Sequence, residues 1–306
     1  MTVFSTPRSR TAAAVAAAAG LAISLSACSP AAAPAVPAAS TASTGLPDAH
    51  VHGLSVNPAT GRLLLATHDG LYDVTTSPVA KVGPTNDLMG YTAAGSPEIL
   101  YASGHPGPGS ADPDPLGLIT SSDGGKTWLP LSRQGESDFH ALAATGSGLV
   151  AFDGALRISP DGKSWKSVGV DFQPAALAGH AGSDTVLATA QDGLRRSTDG
   201  GATWAKVPAS PVIQFAAFAS KRTAAGVAPD GTVYRSDDAG LTWTAKGKPT
   251  GPVQAVAATQ STDSQITVWV ATGHGLEVST DGGLTFGPYA PGSGPAATTG
   301  APTVKQ

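Results

Sequence analysis

The sequence contains little cysteine and little charge. Its one cysteine, Cys28, cannot form an intramolecular disulfide, so a fold stapled together by disulfides is excluded. Only 13% of the 306 residues are charged, and the formal net charge is −4 at pH 7. The sequence has no dense run of basic residues, so nucleic acid is not an expected partner.

Glycine and proline, in contrast, are abundant, with 38 and 25 residues. Helix interiors tolerate neither residue well, whereas tight turns between strands use both. Hydrophobic residues make up 41% of the chain, which is enough to bury a substantial core. The composition therefore predicts an all-β fold built from many short strands.

The N-terminal segment has the pattern of a signal peptide. Arg8 and Arg10 precede an apolar stretch, 12–25, that is too short and too rich in alanine for a convincing transmembrane helix. The sequence LSAC, which ends at Cys28, looks like a bacterial lipobox, in which the cysteine thiol receives a diacylglyceryl group. We therefore expect an exported protein, anchored to the lipid bilayer at the outer face of the cell membrane through acylated Cys28. A secretory signal with an incidental cysteine is the alternative.

Composition divides the chain into four segments. Residues 1–28 are the predicted lipoprotein signal peptide, and residues 29–48 form a tether rich in Pro, Ala, Ser and Thr, without apolar periodicity. Residues 49–289 are the predicted folded domain. Residues 290–306 have the composition of the tether and are expected to be disordered.

A short motif recurs five times between residues 121 and 286. Four copies share the pattern S-x-D-x-G-x-T-aromatic, and a fifth, SPDGKSW, is one residue shorter. The copies begin at Ser121, Ser159, Ser197, Ser236 and Ser279. Their spacings of 38, 38, 39 and 43 residues match the length of a four-stranded propeller blade.

Each copy contains the residues that a tight turn between strands needs. The aspartate can accept hydrogen bonds from turn N–H groups, the glycines can adopt positive φ, and the aromatic side chain can pack into the sheet. The aspartates are Asp123, Asp161, Asp199, Asp238 and Asp281. The motif resembles the Asp box, or BNR repeat, of bacterial sialidases, sortilin-type receptors and several glycoside hydrolases. In those families the box joins the two outer strands of a blade, away from the binding face, so the resemblance implies a structural role for these aspartates.

The segments upstream of the motifs extend the repeat to a complete β-propeller. Each contains a candidate inner strand, a second strand, a turn that often contains Asp-Gly, and a third strand. We count six blades, each of four antiparallel strands. The first blade, from residue 50 to about 83, lacks the motif, and the second carries a long insertion, GHPGPGSADPDPLG. A seventh, degenerate blade near residues 73–86 is the alternative.

Propeller ligands bind where the inner strands converge on the central channel. In the first three blades, one register of the predicted inner strands holds His52, Met89 and His140. The positions two residues earlier, which point to the same face of an ideal strand, hold His50, Asp87 and Asp138. The later blades carry mainly alanine and glutamine near this register.

Imidazole nitrogen and thioether sulfur suit a soft or borderline metal ion, copper first and zinc next. The predicted metal ligands are therefore His50, His52, Met89 and His140, with His68 and His105 as additional candidates. Two alternatives stay open at this point. The site could bind a polar organic molecule, or the histidines could be structural.

The resemblance to sialidases also implies an enzymatic alternative, a glycosyl hydrolase that acts on extracellular glycans. Sialidases use three arginines, a Tyr nucleophile paired with Glu, and an acidic residue as the general acid, but this chain has no Arg-Ile-Pro motif and only three glutamates. A two-carboxylate glycosidase fits better, because Asp48, Asp87 and Asp138 all precede inner strands. Such enzymes use carboxyl groups that lie about 5 to 9.5 Å apart.

The preferred hypothesis is a membrane-tethered, extracytoplasmic binding module. Its ligand, a metal ion, a small molecule, a glycan or a protein, would lie at the channel face of the first three blades. The hydrolase is the first alternative, and a scaffold for protein assembly is the second.

Replacing Cys28 tests the predicted anchor. The Cys28→Ser variant has no thiol to acylate, and buried acyl chains, at about 0.8 kcal/mol per CH₂, are what would hold the chain on a membrane. We expect an unlipidated precursor or released protein, measured by fatty-acid labelling and by cell fractionation. The neighbouring Ser29→Ala variant should be labelled like the wild type. Labelling of Cys28→Ser, or its retention in the membrane fraction as a processed chain, would contradict the lipobox.

Overall fold

A computed structural model describes residues 45–96 and 98–290 of the chain. Within these ranges every regular element is a β-strand, and 24 strands form six four-stranded sheets. The chain is a six-bladed β-propeller, which confirms the predicted fold class. The described residues include no helix long and apolar enough to cross a membrane. The predicted signal peptide with Cys28, most of the tether, and the predicted tail beyond residue 290 lie outside the described residues.

The first three blades carry the candidate site. Blade 1 contains β1 (Val51–Val56), β2 (Leu63–Thr67), β3 (Gly70–Asp73) and β4 (Ala80–Val82). Blade 2 contains β5 (Asp87–Ala93), β6 (Leu100–His105), β7 (Leu118–Ser121) and β8 (Leu129–Ser132). Blade 3 contains β9 (Ala141–Thr145), β10 (Gly148–Phe152), β11 (Leu156–Ser159) and β12 (Lys166–Val168).

The last three blades complete the ring. Blade 4 contains β13 (Pro174–His180), β14 (Ser183–Ala190), β15 (Gly193–Ser197) and β16 (Ala205–Lys206). Blade 5 contains β17 (Phe215–Phe218), β18 (Ala224–Val227), β19 (Val233–Ser236) and β20 (Thr244–Ala245). Blade 6 contains β21 (Val253–Gln260), β22 (Ile266–Thr272), β23 (Gly275–Ser279) and β24 (Gly287–Pro288).

Each blade is an antiparallel meander whose strands follow the order of the sequence. The segment considered for a seventh blade, 73–86, instead holds the outer strand of blade 1 and the loop that enters blade 2. The long insertion of blade 2 begins with the last two residues of β6 and fills the loop that leads to β7. Six blades therefore account for all the strands in the described part of the chain.

The second strands are deeply buried because neighbouring blades cover both of their faces. Every residue of β2, LLLAT, and of β18, AAGV, is buried. A strand that is covered on both sides needs apolar residues at successive positions, and not an alternation of apolar and polar ones. The apolar runs of the sequence therefore mark the packing between blades.

The repeated turn motif connects the third and fourth strands in blades 2 to 6. In blade 4, Asp199 Oδ1 accepts hydrogen bonds from Ser197 Oγ at 2.7 Å and from Thr203 N at 2.9 Å. Its Oδ2 accepts one from Thr203 Oγ1 at 2.6 Å. These bonds, first the one from the Thr203 hydroxyl, hold the pKa of Asp199 below its usual value. The aspartate organises the turn and lies on the outer part of the blade.

Side-chain packing between blades 6 and 1 closes the ring. Each sheet consists of four consecutive strands, so no strand is exchanged between the two ends of the described chain. Val51 and Leu65 of blade 1 share a buried cluster with Trp269 and Leu276 of blade 6. Tyr289, just after the last strand, packs against the same cluster. Apolar burial is therefore the main force that joins the first blade to the last.

Truncating a turn aspartate tests its structural role. Asp199→Ala removes the acceptor of three hydrogen bonds, so we expect the free energy of unfolding to fall by on the order of 1 to 3 kcal/mol. The affinity of the metal site predicted at the channel should not change. Chemical denaturation followed by circular dichroism measures the first effect, and calorimetry the second. Asp171→Ala, at an exposed loop position before β13, is the control and should alter neither. Loss of binding with unchanged stability would contradict the assignment.

Candidate metal centre

The six inner strands, β1, β5, β9, β13, β17 and β21, surround a central channel. The channel contains a cavity of about 550 Å³, which His52 helps to line. Every blade begins with its inner strand and has an even number of antiparallel strands, so all inner strands begin at the same end of the channel. We call this end, where β1, β5 and β9 begin, the channel mouth.

Blade 1 brings three histidines together at the channel mouth. His50 precedes β1, His52 lies in β1 and His68 follows β2. The ring centroids of His50 and His52 are 4.8 Å apart, those of His52 and His68 are 4.5 Å apart, and those of His50 and His68 are 5.3 Å apart. One ring nitrogen of each histidine lies within 4.8 Å of the other two. We call these three residues the blade 1 triad.

Strand pairing explains how the triad forms. The backbone N–H of His68 donates a hydrogen bond to the carbonyl of His50 at 3.1 Å, next to the Val51–Thr67 pair of β1 and β2. His68 was only an additional candidate in the sequence. Placing the end of the second strand opposite the start of the first would have identified it as the partner of His50.

The orientation of Met89 also could not be predicted from its position along the strand. A bulge interrupts β5 between Asp87 and Gly90, and another interrupts β1 between Val51 and Gly53. The rule that residues two apart face the same way therefore fails at the start of both strands. Met89 is half-buried within the β5 bulge, so its role as a ligand stays a prediction.

Asp87 connects the triad to blade 2. Its Oδ2 accepts a hydrogen bond from His68 Nδ1 at 2.6 Å, which leaves Nε2 of that imidazole as the free nitrogen. Its Oδ1 lies 3.6 Å from His52 Nε2, too far for a hydrogen bond. Both of these atoms are buried and have no hydrogen-bond partner among the described residues. Two facing polar atoms that lack partners are unusual in a protein interior and mark a place where a ligand can bind.

The protonation state of His52 suits metal binding. Its side chain is 10% exposed. Burial, and then the neighbouring His68, lower the pKa of His52 to about 4, while Asp87 opposes the shift only in part. His52 is therefore neutral at pH 7, and neutral imidazole is the form that binds metals.

A second cluster of polar side chains lies beside the triad. Asp138 Oδ2 is 2.6 Å from His140 Nε2 and 3.3 Å from His105 Nε2. We call His105, Asp138 and His140 the Asp138 group. The other ring nitrogen of His105, Nδ1, is 2.6 Å from Asp114 Oδ1, and this hydrogen bond raises the pKa of His105. Asp138 Oδ1 is buried without a hydrogen-bond partner in the described ranges.

Close packing between blades 2 and 3 positions the Asp138 group. Phe139, between Asp138 and His140, is fully buried, and its backbone N–H donates to Ser103 Oγ at 2.9 Å. The carbonyl of Phe139 approaches Gly90 so closely that a Cβ there would lie 1.9 Å from the oxygen. Only glycine fits at this position. The contacts hold the residues on either side of Phe139 against β5 and β6.

Two further carboxylates, Asp48 and Glu277, have different surroundings. Asp48 is exposed two residues before the triad begins. Glu277 in β23 is buried, and it accepts hydrogen bonds from Thr250 N at 3.1 Å, Thr250 Oγ1 at 2.9 Å and Gly251 N at 3.3 Å. Glu277 therefore holds the loop that enters blade 6. Of the three carboxylates proposed for a two-carboxylate glycosidase, Asp87 and Asp138 lie at the channel mouth in contact with imidazoles.

Comparisons with known proteins identify the fold. No protein-family model matches the chain, and no curated protein does. A GH74 xyloglucanase from Xanthomonas campestris is similar in structure, with a TM-score of 0.57 and 17% sequence identity, over 79% of this chain and 38% of that one. The extracellular domain of a B. thetaiotaomicron protein named as a hybrid two-component system is similar with a TM-score of 0.51 and 10% identity, over 78% of this chain and 33% of that one.

This chain thus spans well under half the length of either protein. At such low sequence identity, the likeness shows the fold alone. The structural neighbours of the chain are accordingly a GH74 xyloglucanase and other β-propellers.

Proposed function

We propose that this chain is an exported, lipid-anchored β-propeller that binds a copper or zinc ion at the channel mouth. The observation that carries the proposal is the blade 1 triad, whose ring nitrogens converge within 4.8 Å beside Asp87. The sequence LSAC at Cys28 supports the anchor.

The unpartnered atoms of His52 and Asp87 have the separation that a shared ion would produce. Metal–nitrogen distances of about 2.0 to 2.1 Å place neighbouring ligands of a tetrahedral ion about 3.3 Å apart. His52 Nε2 and Asp87 Oδ1 are 3.6 Å apart. An ion between them would satisfy both atoms, and the ring centroids of His50 and His68 lie 4.8 and 4.5 Å from that of His52.

The types of ligand atom at the site determine which metal ions it would bind most tightly. Three imidazole nitrogens with one carboxylate suit Cu²⁺ and Zn²⁺, and copper forms the stronger complexes with such ligands. His68 is held by Asp87 through Nδ1, as metal-ligating histidines usually are held by a second polar group. Met89 would add a sulfur ligand and so favour Cu⁺.

A glycosyl hydrolase is the second candidate. Asp87 and Asp138 at the channel mouth, together with the fold shared with a GH74 xyloglucanase, are the observations that favour it. Assays with fluorogenic sialosides and xyloglucan oligosaccharides distinguish the two functions. Turnover that is lost in both Asp87→Asn and Asp138→Asn would favour the hydrolase over the metal-binding protein.

Removing single imidazoles tests the metal site. We expect the full-length protein in detergent to bind Cu²⁺ more tightly than Zn²⁺ in isothermal titration calorimetry. His52→Ala and His68→Ala should each weaken binding at least about 10-fold. Asp87→Asn should weaken it by about 10- to 100-fold, because the Asp87 carboxylate either orients His68 or binds the ion itself. Met89→Leu should weaken Cu⁺ more than Zn²⁺ if the sulfur is a ligand.

His180→Ala is the matched control for these variants. His180 ends β13, at the other end of the channel, and burial lowers its pKa as it does for His52. Its replacement should leave metal affinity unchanged. Unaltered affinity in both His52→Ala and His68→Ala, or a dissociation constant weaker than micromolar for both ions, would exclude the site.

The pKa of His52 predicts how metal-free protein responds to acid. The folded-state pKa of about 4 is below the unfolded value of 6.5, so the unfolded state binds more protons between these limits. The contribution of neutral His52 to the stability of the folded state is fully present above pH 6.5 and is lost as the pH falls toward 4. We expect urea unfolding of His52→Gln to show a weaker loss of stability over this window than the wild type.

The pKa shift of His105 has the opposite effect on how stability depends on pH. Its raised pKa contributes stability that is present below pH 6.5 and is lost as the pH rises through the folded-state value. The difference between wild type and variant isolates His52 from this contribution. His274→Gln, at an exposed position of blade 6, controls for the loss of one histidine. Identical pH profiles for His52→Gln and the wild type would show that folding does not lower the pKa of His52.

A further inference from the structure

We propose that a pocket at the outer edge of blade 4 binds a neutral pyranose ring. The pocket has a volume of about 670 Å³ and is lined by residues 169–172 and 202–204, Arg195 and Lys206. It lies between the loop that leads into blade 4 and the two outer strands of that blade, β15 and β16. Pockets of about 300 to 1,000 Å³ are usual for small-molecule ligands. We call it the blade 4 pocket, and none of its lining residues is a ligand of the proposed metal site.

Arg195, in β15, supplies the observation that points to a ligand. The residue is only 8% exposed, yet its Nη1 has no hydrogen-bond partner among the described residues. Its Nη2 donates to Asp192 Oδ2 at 2.8 Å. Asp192 therefore compensates the charge of Arg195 but leaves one donor unused. An unused donor in a buried position is costly unless a ligand accepts from it.

The same position in blade 3 shows how such a donor can be satisfied within the fold. Arg157 of β11 is paired with Ser167 of β12, and its Nη1 donates to Ser167 Oγ at 3.0 Å. Arg195 is paired in the same way with Lys206 of β16. The lysine side chain has no acceptor, so Lys206 cannot replace the serine. This one difference leaves Nη1 of Arg195 available in blade 4.

Two aromatic side chains form the apolar part of the blade 4 pocket. The guanidinium carbon of Arg195 lies 5.2 Å from the centre of the Phe172 ring, in a cation–π contact. The rings of Phe172 and Trp204 meet edge to face, with centroids 5.5 Å apart. Phe172 is buried, whereas Trp204 is half-buried. The pocket therefore offers a ligand the apolar surface of Trp204 together with the unused donor of Arg195.

The charges around the blade 4 pocket cancel, which favours a neutral ligand. Two side chains, Arg195 and Lys206, are cationic, and both contact Oδ2 of Asp192. The second carboxylate, that of exposed Asp171, lines the pocket. A carboxylate ligand would compete with Asp192 and be repelled by Asp171, whereas a hydroxyl group can accept from Arg195 without adding charge. A pyranose combines such hydroxyl groups with a C–H face that can pack on Trp204.

Titration with sugars tests the blade 4 pocket. Full-length protein, in a detergent without a sugar headgroup and with a metal chelator, is titrated with cellobiose, lactose and diacetylchitobiose. Saturation-transfer NMR measures binding, and we expect at least one of these neutral disaccharides to bind at millimolar concentration or below. Arg195→Lys keeps the charge but removes Nη1. It should weaken binding about 10-fold or more, as the loss of a hydrogen bond from a charged donor does.

Blade 3 provides a matched control and a second variant. Arg157→Lys makes the same change at the equivalent position, outside the pocket lining, and should leave the affinity for sugar unchanged. Lys206→Ser places the acceptor of blade 3 opposite Arg195. We expect it to engage Nη1 and to weaken sugar binding without lowering the melting temperature. If Arg195→Lys fails to fold, Lys206→Ser supplies the test.

The outcomes separate this inference from the proposed function. Absence of binding for all three sugars, or wild-type affinity in both Arg195→Lys and Lys206→Ser, overturns the blade 4 pocket. Tighter binding of glucuronate than of the neutral sugars, lost in Arg195→Lys, would indicate an anion site and also overturns it. Metal affinity should be the same in Arg195→Lys as in the wild type. Either site can therefore fail its test while the other stands.

Discussion

Face-to-face packing of neighbouring blades is the constraint on which the rest of this structure depends. It buries both sides of the second strands and closes the ring between Val51 and Trp269 without a shared strand. It also sets how near two inner strands can come. Where blade 2 meets blade 3, the carbonyl of Phe139 occupies the space that a side chain at Gly90 would need. The arrangement of the channel mouth follows from this contact.

The polar clusters lie at the starts of the inner strands in blades 1 to 3. Their side chains are polar although buried residues such as Leu88 and Phe139 lie next to them in the sequence. Blades 1 to 3 place histidine and aspartate there, whereas blades 4 to 6 begin with residues such as Gln173, Gln214 and Gln254. The fold is nearly symmetric, but these histidines and aspartates of the described residues lie on one side of the channel.

The sequence predicts the fold better than the site. Regular spacing of the turn motifs and apolar second strands determine six blades, because both patterns arise from local turns and from burial on two faces. The positions of the site residues depend on bulges and on a loop, which the alternation of residues along a strand does not predict. Bulges displace His52 and Met89 from the simple register, and Asp114 belongs to an insertion whose path has no repeat to guide it.

The carboxylates of this chain differ in whether their oxygens have hydrogen-bond partners. Glu277 is buried, and several donors from the loop that it supports saturate its carboxylate. Asp199 likewise accepts three bonds within its turn. Asp87 and Asp138 differ, because each keeps one buried oxygen that has no partner within the described ranges. The proposed metal ion would bind one of these oxygens, Asp87 Oδ1, which no donor of the described residues satisfies.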